Sequence, residues 1–133
     1  MRRVVLDTNV IVSAVISKGK PRELLNRGIK NRFSLVISES ILKEIETVLR
    51  RPKFKASEDE TQRIILAVMQ SADMVRVESD FRVIEDDPTD NMILNAAFDG
   101  RVDFIVTGDK ALLRLRNFRE IRILSVSEAL NQL

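Results

Sequence analysis

Asp7 ends the apolar run Val4-Val5-Leu6, and Asp109 follows Phe104-Ile105-Val106-Thr107-Gly108 in the same way. A carboxylate just past a strand-like segment sits where open α/β sheets gather their chemistry, outside the carboxyl ends of the strands. Asp90 is a third acid of interest, in the first turn of the helix that Asp87-Pro88 opens. Carboxylates converging on one sheet edge repel, and a buried unpaired charge is costly. The chain has no histidine and no cysteine, which excludes Ser-His-Asp and Cys-His mechanisms, imidazole sites and cysteine-ligated zinc. The usual general bases left are carboxylates, lysines or metal-bound water. Neither Asp7-Thr8-Asn9 nor Asp87-Pro88-Thr89-Asp90 contains a basic residue. Arginines and lysines elsewhere could pair with these acids through space. Otherwise a hard divalent cation resolves the conflict, and Mg²⁺ or Mn²⁺ suits an all-oxygen site of carboxylates and water.

Each acid also has an ordinary reading. Asp109 can cap its helix, and Asp87-Pro88-Thr89-Asp90 has capping-box spacing with Asp in the usual Glu position. In the segment Ser38–Leu49, Glu44 borders the apolar stripe on one side and Glu46 on the other, while Glu39 suits the first turn of a helix. Periodicity does not choose between Glu44 and Glu46.

The elements that must position these residues alternate between strand and helix. Residues 3–7 form strand one, buried on both faces as in a parallel sheet, and a short helix runs from about Val10 to Ser17. Lys18–Pro21 is a loop, with a helix over Arg22–Gly28 and strand two over Phe33–Ile37. Ser38 is the N-cap of a helix reaching Leu49, with Ile41, Leu42, Ile45, Val48 and Leu49 as its apolar stripe. Arg51-Pro52 ends it, and Lys53–Asp59 is a polar connection. A further helix spans Thr61–Ala72, Met74–Val77 is strand three, and Ser79–Asp87 is an acid-rich loop. The next helix uses Ile93, Leu94, Ala97 and Phe98 and is closed by Gly100. Phe104–Thr107 is strand four, Ile121–Leu124 strand five, and Val126–Leu130 the last helix. This pattern predicts one domain over residues 1–133, a three-layer α/β/α sandwich around a mainly parallel sheet of about five strands.

With 133 residues, 44% hydrophobic and 32% charged, the chain is long enough to bury a core, and no apolar run approaches a membrane span. Met1-Arg2-Arg3 enters a strand at once and offers no secretory segment, so a cytoplasmic protein without membrane partners is expected. The formal charge is only +2, yet the pI is about 9.2. The basic residues cluster, as in Arg50, Arg51, Lys53 and Lys55 or Lys110, Arg114, Arg116, Arg119 and Arg122. Such clusters could hold a phosphate backbone or be solvated helix faces.

Four segments in order resemble the PIN-domain ribonucleases across nearly the whole chain. They are Val5-Leu6-Asp7-Thr8-Asn9-Val10, Ser38–Leu49 with Arg51-Pro52-Lys53-Phe54, Asp87-Pro88-Thr89-Asp90-Asn91, and Val106-Thr107-Gly108-Asp109. The Arg-Pro-Lys-Phe segment resembles the VapC-like branch of toxins in toxin–antitoxin pairs. The resemblance implies a catalytic and metal-holding quartet of Asp7, Glu44, Asp90 and Asp109. It selects Glu44 because the family's glutamate precedes an aliphatic residue, here Ile45, and it adds Asn9 and Thr107 as supporting residues. It further implies Mg²⁺- or Mn²⁺-dependent hydrolysis of single-stranded RNA, a homo-oligomer and an antitoxin partner. The alternatives are a non-catalytic RNA- or partner-binding module of the same fold, or a phosphoryl-transfer domain. The haloacid-dehalogenase pattern wants a second Asp where Asn9 stands, and a receiver wants a lysine after the last strand, which Ile121–Ser125 lacks.

Overall fold

A computed structural model of the chain describes residues 1–55, 57–85 and 87–133. Ala56 of the expected polar connection and Asp86 of the acid-rich loop lie outside the described residues. The elements run β1 (Arg3–Leu6), α1 (Thr8–Ile16), α2 (Lys20–Ile29), β2 (Ser34–Ser38) and α3 (Glu39–Leu49). A 3₁₀ turn (Pro52–Phe54) leads to α4 (Glu58–Ser71), β3 (Asp73–Val75), α5 (Pro88–Asp99) and β4 (Phe104–Val106). The chain closes with α6 (Lys110–Leu115), β5 (Asn117–Phe118), β6 (Ile121–Leu124) and α7 (Val126–Gln132).

The strands form one six-stranded sheet in the order β3-β2-β1-β4-β6-β5, parallel except for β5, which runs antiparallel to β6. The sheet thus has one strand more than the sequence pattern predicts. Strand order moves outward from β1 to β3 and then returns to the other side of β1 with β4, so the topological switch point lies between β1 and β4. Right-handed crossovers put α1–α4 on one face, and the return through α5 puts that helix on the other. α5 packs across β1, β2 and β4, and α7 against α2. Val4, Val5, Ile105 and Val106 at the centre are fully buried, which is why both central strands read as uninterrupted apolar runs. No helix among the described residues is long and apolar enough to cross a membrane.

Several boundaries differ from the sequence expectation for identifiable reasons. α1 starts at Thr8, directly after β1, and α4 starts at Glu58, where the Ser57 hydroxyl accepts from the Glu60 N–H at 3.0 Å. Gly100 does not close α5 in a left-handed conformation: its φ is −79°, and Arg101 takes the positive φ of 52° instead. Glycine is needed there for space, because a Cβ would lie 2.8 Å from Val36 Cγ1 and 2.9 Å from the Ala96 carbonyl. The 78–84 segment has no ladder of its own, and side chains one turn apart on α5 supply its partners. Asp99 Oδ2 accepts from the Glu78 and Ser79 N–H groups, Asn95 pairs both ways with Phe81, and Asn91 pairs both ways with Ile84. This polar ladder holds the chain against α5 as it approaches Asp87 and the helix start.

Candidate metal centre

The register fixes the first two acids. Leu6 pairs with Val106, the Asp7 N–H donates to the Val106 carbonyl at 2.9 Å, and the Thr107 N–H donates to Leu124 at 3.0 Å. The ladder therefore carries Asp7 and Thr107 side by side past the end of the sheet. The Thr107 hydroxyl, fully buried, donates to Asp7 Oδ2 at 2.6 Å and accepts from the Asp109 N–H at 2.9 Å. One hydroxyl thus sets the position of two acids. Asp109 Oδ1 accepts from the Ala111 and Leu112 N–H groups at 2.8 and 3.1 Å and caps α6. Its ordinary capping role is real, and it still lines the cavity described below.

Asp87 caps α5 by accepting from the Asp90 N–H at 3.0 Å. The helix then turns Asp90 inward until only 3% of it is exposed. One carboxylate oxygen each from Asp87, Asp90 and Asp109 lies within 4.8 Å of the others. In the sequence Asp87 reads only as a cap. The signal that could have found it is the three-residue spacing to Asp90, which places both at one helix end.

Asp7, Glu44, Asp87, Asp90 and Asp109 line a single cavity of about 440 Å³, together with Asn9, Arg51, Lys53 and Phe54. Asp7 and Glu44 line it without joining the closest set of three. α3 buries Ile41, Leu42, Ile45, Val48 and Leu49, which turns half-buried Glu44 toward the cavity beside Val48. Glu46, its rival by periodicity, instead lies 3.6 Å from the Arg50 guanidinium on the same helix, and Glu39 pairs with Lys43. Asn9 is exposed at the rim.

The electrostatics are those of crowded acids. Among the described residues, no ion pair involves Asp7, Glu44, Asp87, Asp90 or Asp109. Asp7 Oδ1 and Asp90 Oδ2 are buried with no hydrogen-bond partner among the described residues, as is the Thr8 hydroxyl. Burial pushes the Asp7 carboxyl up, against the lowering effect of the Thr107 hydrogen bond. Asp90 is pushed up to about 7, first by burial, then by its hydrogen-bonding contact with Asp109 and by the charges of Asp109, Asp87 and Asp7. Buried carboxylate oxygens without partners, with no ion pair to Arg51 or Lys53 of the same cavity among the described residues and no histidine or cysteine in the chain, describe a donor set for a hard divalent cation.

Known proteins share this fold. A PIN domain family model matches residues 3–111. The uncharacterized protein MJ1680 of Methanocaldococcus jannaschii is 33% identical over 119 residues, covering 86% of this chain and 76% of that protein. Among solved structures, a chain of VapBC2 from Rickettsia felis, crystallised bound to a DNA fragment from their promoter, superposes with a TM-score of 0.66. The match covers 92% of this chain and 98% of that one at 14% identity, which is a likeness of fold.

Proposed function

The chain belongs to the PIN domain family, and from that membership we propose that it is a metal-dependent endoribonuclease cutting RNA phosphodiester bonds at the acidic cavity. The observation that carries this reading is the pair of buried, unpartnered oxygens, Asp7 Oδ1 and Asp90 Oδ2, in a cavity whose carboxylates form no ion pair with an arginine or lysine among the described residues. Asp7, Glu44, Asp90 and Asp109 would hold Mg²⁺ or Mn²⁺, and Asp87 stands close enough to Asp90 and Asp109 to contribute. A bound divalent cation supplies Lewis acidity toward water and a phosphoryl oxygen.

The chain's own residues do the positioning. Thr107 fixes Asp7 and the backbone of Asp109, so the two cannot drift apart without breaking a buried hydrogen bond. Asp109 commits one oxygen to the α6 N-terminus and keeps the other for the cavity. Asp90 or Asp109, whose carboxylate oxygens lie close together in the cavity, would orient the attacking water. Asn9 at the rim offers an amide to the phosphate.

RNA cleavage with and without EDTA, comparing wild type with Asp7→Asn and Glu44→Gln, tests this reading. Activity that needs the cation and vanishes in Asp7→Asn is the expected result, while undiminished cleavage by Asp7→Asn removes the site. A chain that folds but binds no Mn²⁺ at millimolar concentration by calorimetry is instead a non-catalytic RNA- or partner-binding module. The toxin role follows the fold likeness to VapBC2, with a cognate antitoxin as partner and a homo-oligomer as the assembled state. Growth arrest on expression, relieved by a co-expressed neighbouring gene product, supports the first, and sedimentation as monomer alone counts against the last.

A further inference from the structure

The geometry points to Arg51-Pro52-Lys53-Phe54 as a clamp for one unpaired nucleotide and its phosphate at the mouth of the acidic cavity, an inference that rests on the nuclease reading above. Arg51, Lys53 and Phe54 line the same cavity as the carboxylates, and Val12, Ile16 and Val48 complete its apolar wall. The cavity therefore combines deeply buried acids, Asp7 and Asp90, with apolar side chains and the exposed cations Arg51 and Lys53. A cation alone needs only the acids. The apolar and cationic lining suits a ligand with a flat apolar face and an anionic backbone, which a nucleotide within a single strand provides. A base-paired nucleotide has both faces stacked and cannot offer one to Phe54.

The segment is built to present these groups. Pro52 starts a 3₁₀ turn, closed by Phe54 N–H donating to Arg51 and Lys55 N–H donating to Pro52. Among the described residues Arg51 and Lys53 form no ion pair, unlike neighbouring Arg50, which pairs with Glu46 and Glu58. The Lys53 ammonium lies 5.0 Å from the Phe54 ring centroid, so charge and π surface are offered together. Phe54 is half-buried against the core, which holds the ring in place. The chain contains no tyrosine and no tryptophan, and Phe54 is the aromatic residue lining this cavity.

The test is fluorescence anisotropy of a labelled single-stranded RNA in EDTA, where the oligonucleotide stays intact, joined to steady-state cleavage in Mn²⁺. Arg51→Gln with Lys53→Gln should weaken binding on the order of 10-fold and flatten the salt dependence of log K by about 1.4. Phe54→Leu, which keeps an apolar side chain in the core, should weaken binding about 5-fold or more with the salt dependence unchanged, and Phe54→Tyr should restore it. In cleavage, KM should rise by the same factors while kcat changes little. A single strand carrying 5-iodouridine should photocrosslink to Phe54, and its duplex should not. Lys30→Gln with Arg32→Gln, exposed residues at the opposite sheet edge, should change nothing. Wild-type cleavage with unchanged binding, KM and crosslinking in the segment variants overturns the clamp and leaves the nuclease intact. Binding that obeys the clamp with no metal-dependent cleavage overturns the nuclease and leaves the clamp, and a wild type that neither binds nor cuts RNA overturns both.

Discussion

Asp90→Asn should make the metal-free protein more stable and the enzyme inactive. Asp90 has a carboxyl raised from 3.8 to about 7, by burial first and then by Asp109, Asp87 and Asp7. Its proton is held more tightly in the folded chain than in the unfolded one. Between about pH 4 and 7 the folded state therefore binds the extra proton, and stability is greatest at the acid end and is lost as pH rises through 7. At about 1.36 kcal/mol per pH unit, the full shift sets a ceiling of about 4 kcal/mol at about pH 8, which solvent screening and sharing of the charge with Asp109 reduce. The substitution removes the charge, the new amide can donate to the neighbouring carboxylates, and the lost interaction with the α5 dipole subtracts at most about 1 kcal/mol. The net gain, at most roughly 3 kcal/mol, corresponds to a rise of several degrees and no more than about 10 °C in Tm at about pH 8 for a chain of this size.

Calorimetric or fluorescence-monitored melting between pH 5 and 8, in EDTA and then in Mn²⁺, measures this directly. Wild-type Tm should fall across that range in EDTA as Asp90 gives up its proton. The Asp90→Asn profile should be flatter. Mn²⁺ at about a hundredfold excess over its Kd should return about 2.7 kcal/mol to wild type at pH 8 and far less to Asp90→Asn. An Asp90→Asn protein no more stable than wild type at pH 8 without metal would refute the account of the site as a repulsive cluster.

Three other outcomes follow from single contacts. Glu44→Gln should lose cleavage with little change in Tm, whereas Glu46→Gln, which only loosens the pair with Arg50, should keep wild-type rates in the same RNA assay. Thr107→Val should cost about 1–3 kcal/mol by chemical denaturation, because the buried Asp7 Oδ2 and the Asp109 N–H both lose their partner. Its kcat should fall as well, and Thr107→Ser should recover most of both. Gly100→Ala should destabilise by about 1–3 kcal/mol despite an ordinary helical φ, since its Cβ would press on Val36 and the Ala96 carbonyl. A neutral or stabilising result at Gly100 would mean that the α5–β2 contact is loose enough to yield.

Central strands and strand-end acids are legible in the sequence because burial on both faces leaves an unbroken apolar run, and the chain can stop such a run at a carboxylate only where a turn begins. Asp7 and Asp109 therefore stand out in one dimension. β5 does not, because it is two residues long and exists only through pairing with β6 across the turn at Arg119, whose φ of 57° carries no Asn-Gly or Asp-Gly signature. β3 lies earlier than the apolar character of Met74–Val77 suggests, because its residues, Asp73–Val75, take their register from Val36–Ser38 and include an exposed acid. The polar ladder Asn91-Asn95-Asp99 is hidden within a helix that reads by its apolar stripe. Phe98 of that stripe is 40% exposed and stacks edge-on against Phe81. Glu44 against Glu46 is a choice between two borders of one stripe, and the neighbour of each border is a fact of tertiary structure alone.

The two readings of the acids, helix caps or metal ligands, turn out not to compete. Asp7, Asp87 and Asp109 all occupy N-cap positions, of α1, α5 and α6, and those helix ends face the same cavity. An N-terminus favours negative charge through its free N–H groups and dipole, so local chain rules bring three carboxylates to one place, although Asp7, unlike Asp87 and Asp109, makes no side-chain cap bond and has its carboxyl pushed up by burial. Asp90 is different. It sits inside the first turn of α5, its own N–H serves Asp87, its Oδ2 has no partner, and the charge cost of the cluster collects on it. A fold that needed only caps would place a neutral or outward-facing residue at position 90. Retaining an acid there, buried and raised to about 7, makes physical sense when a cation offsets its charge, and the pH profile of Asp90→Asn is where that reasoning meets measurement.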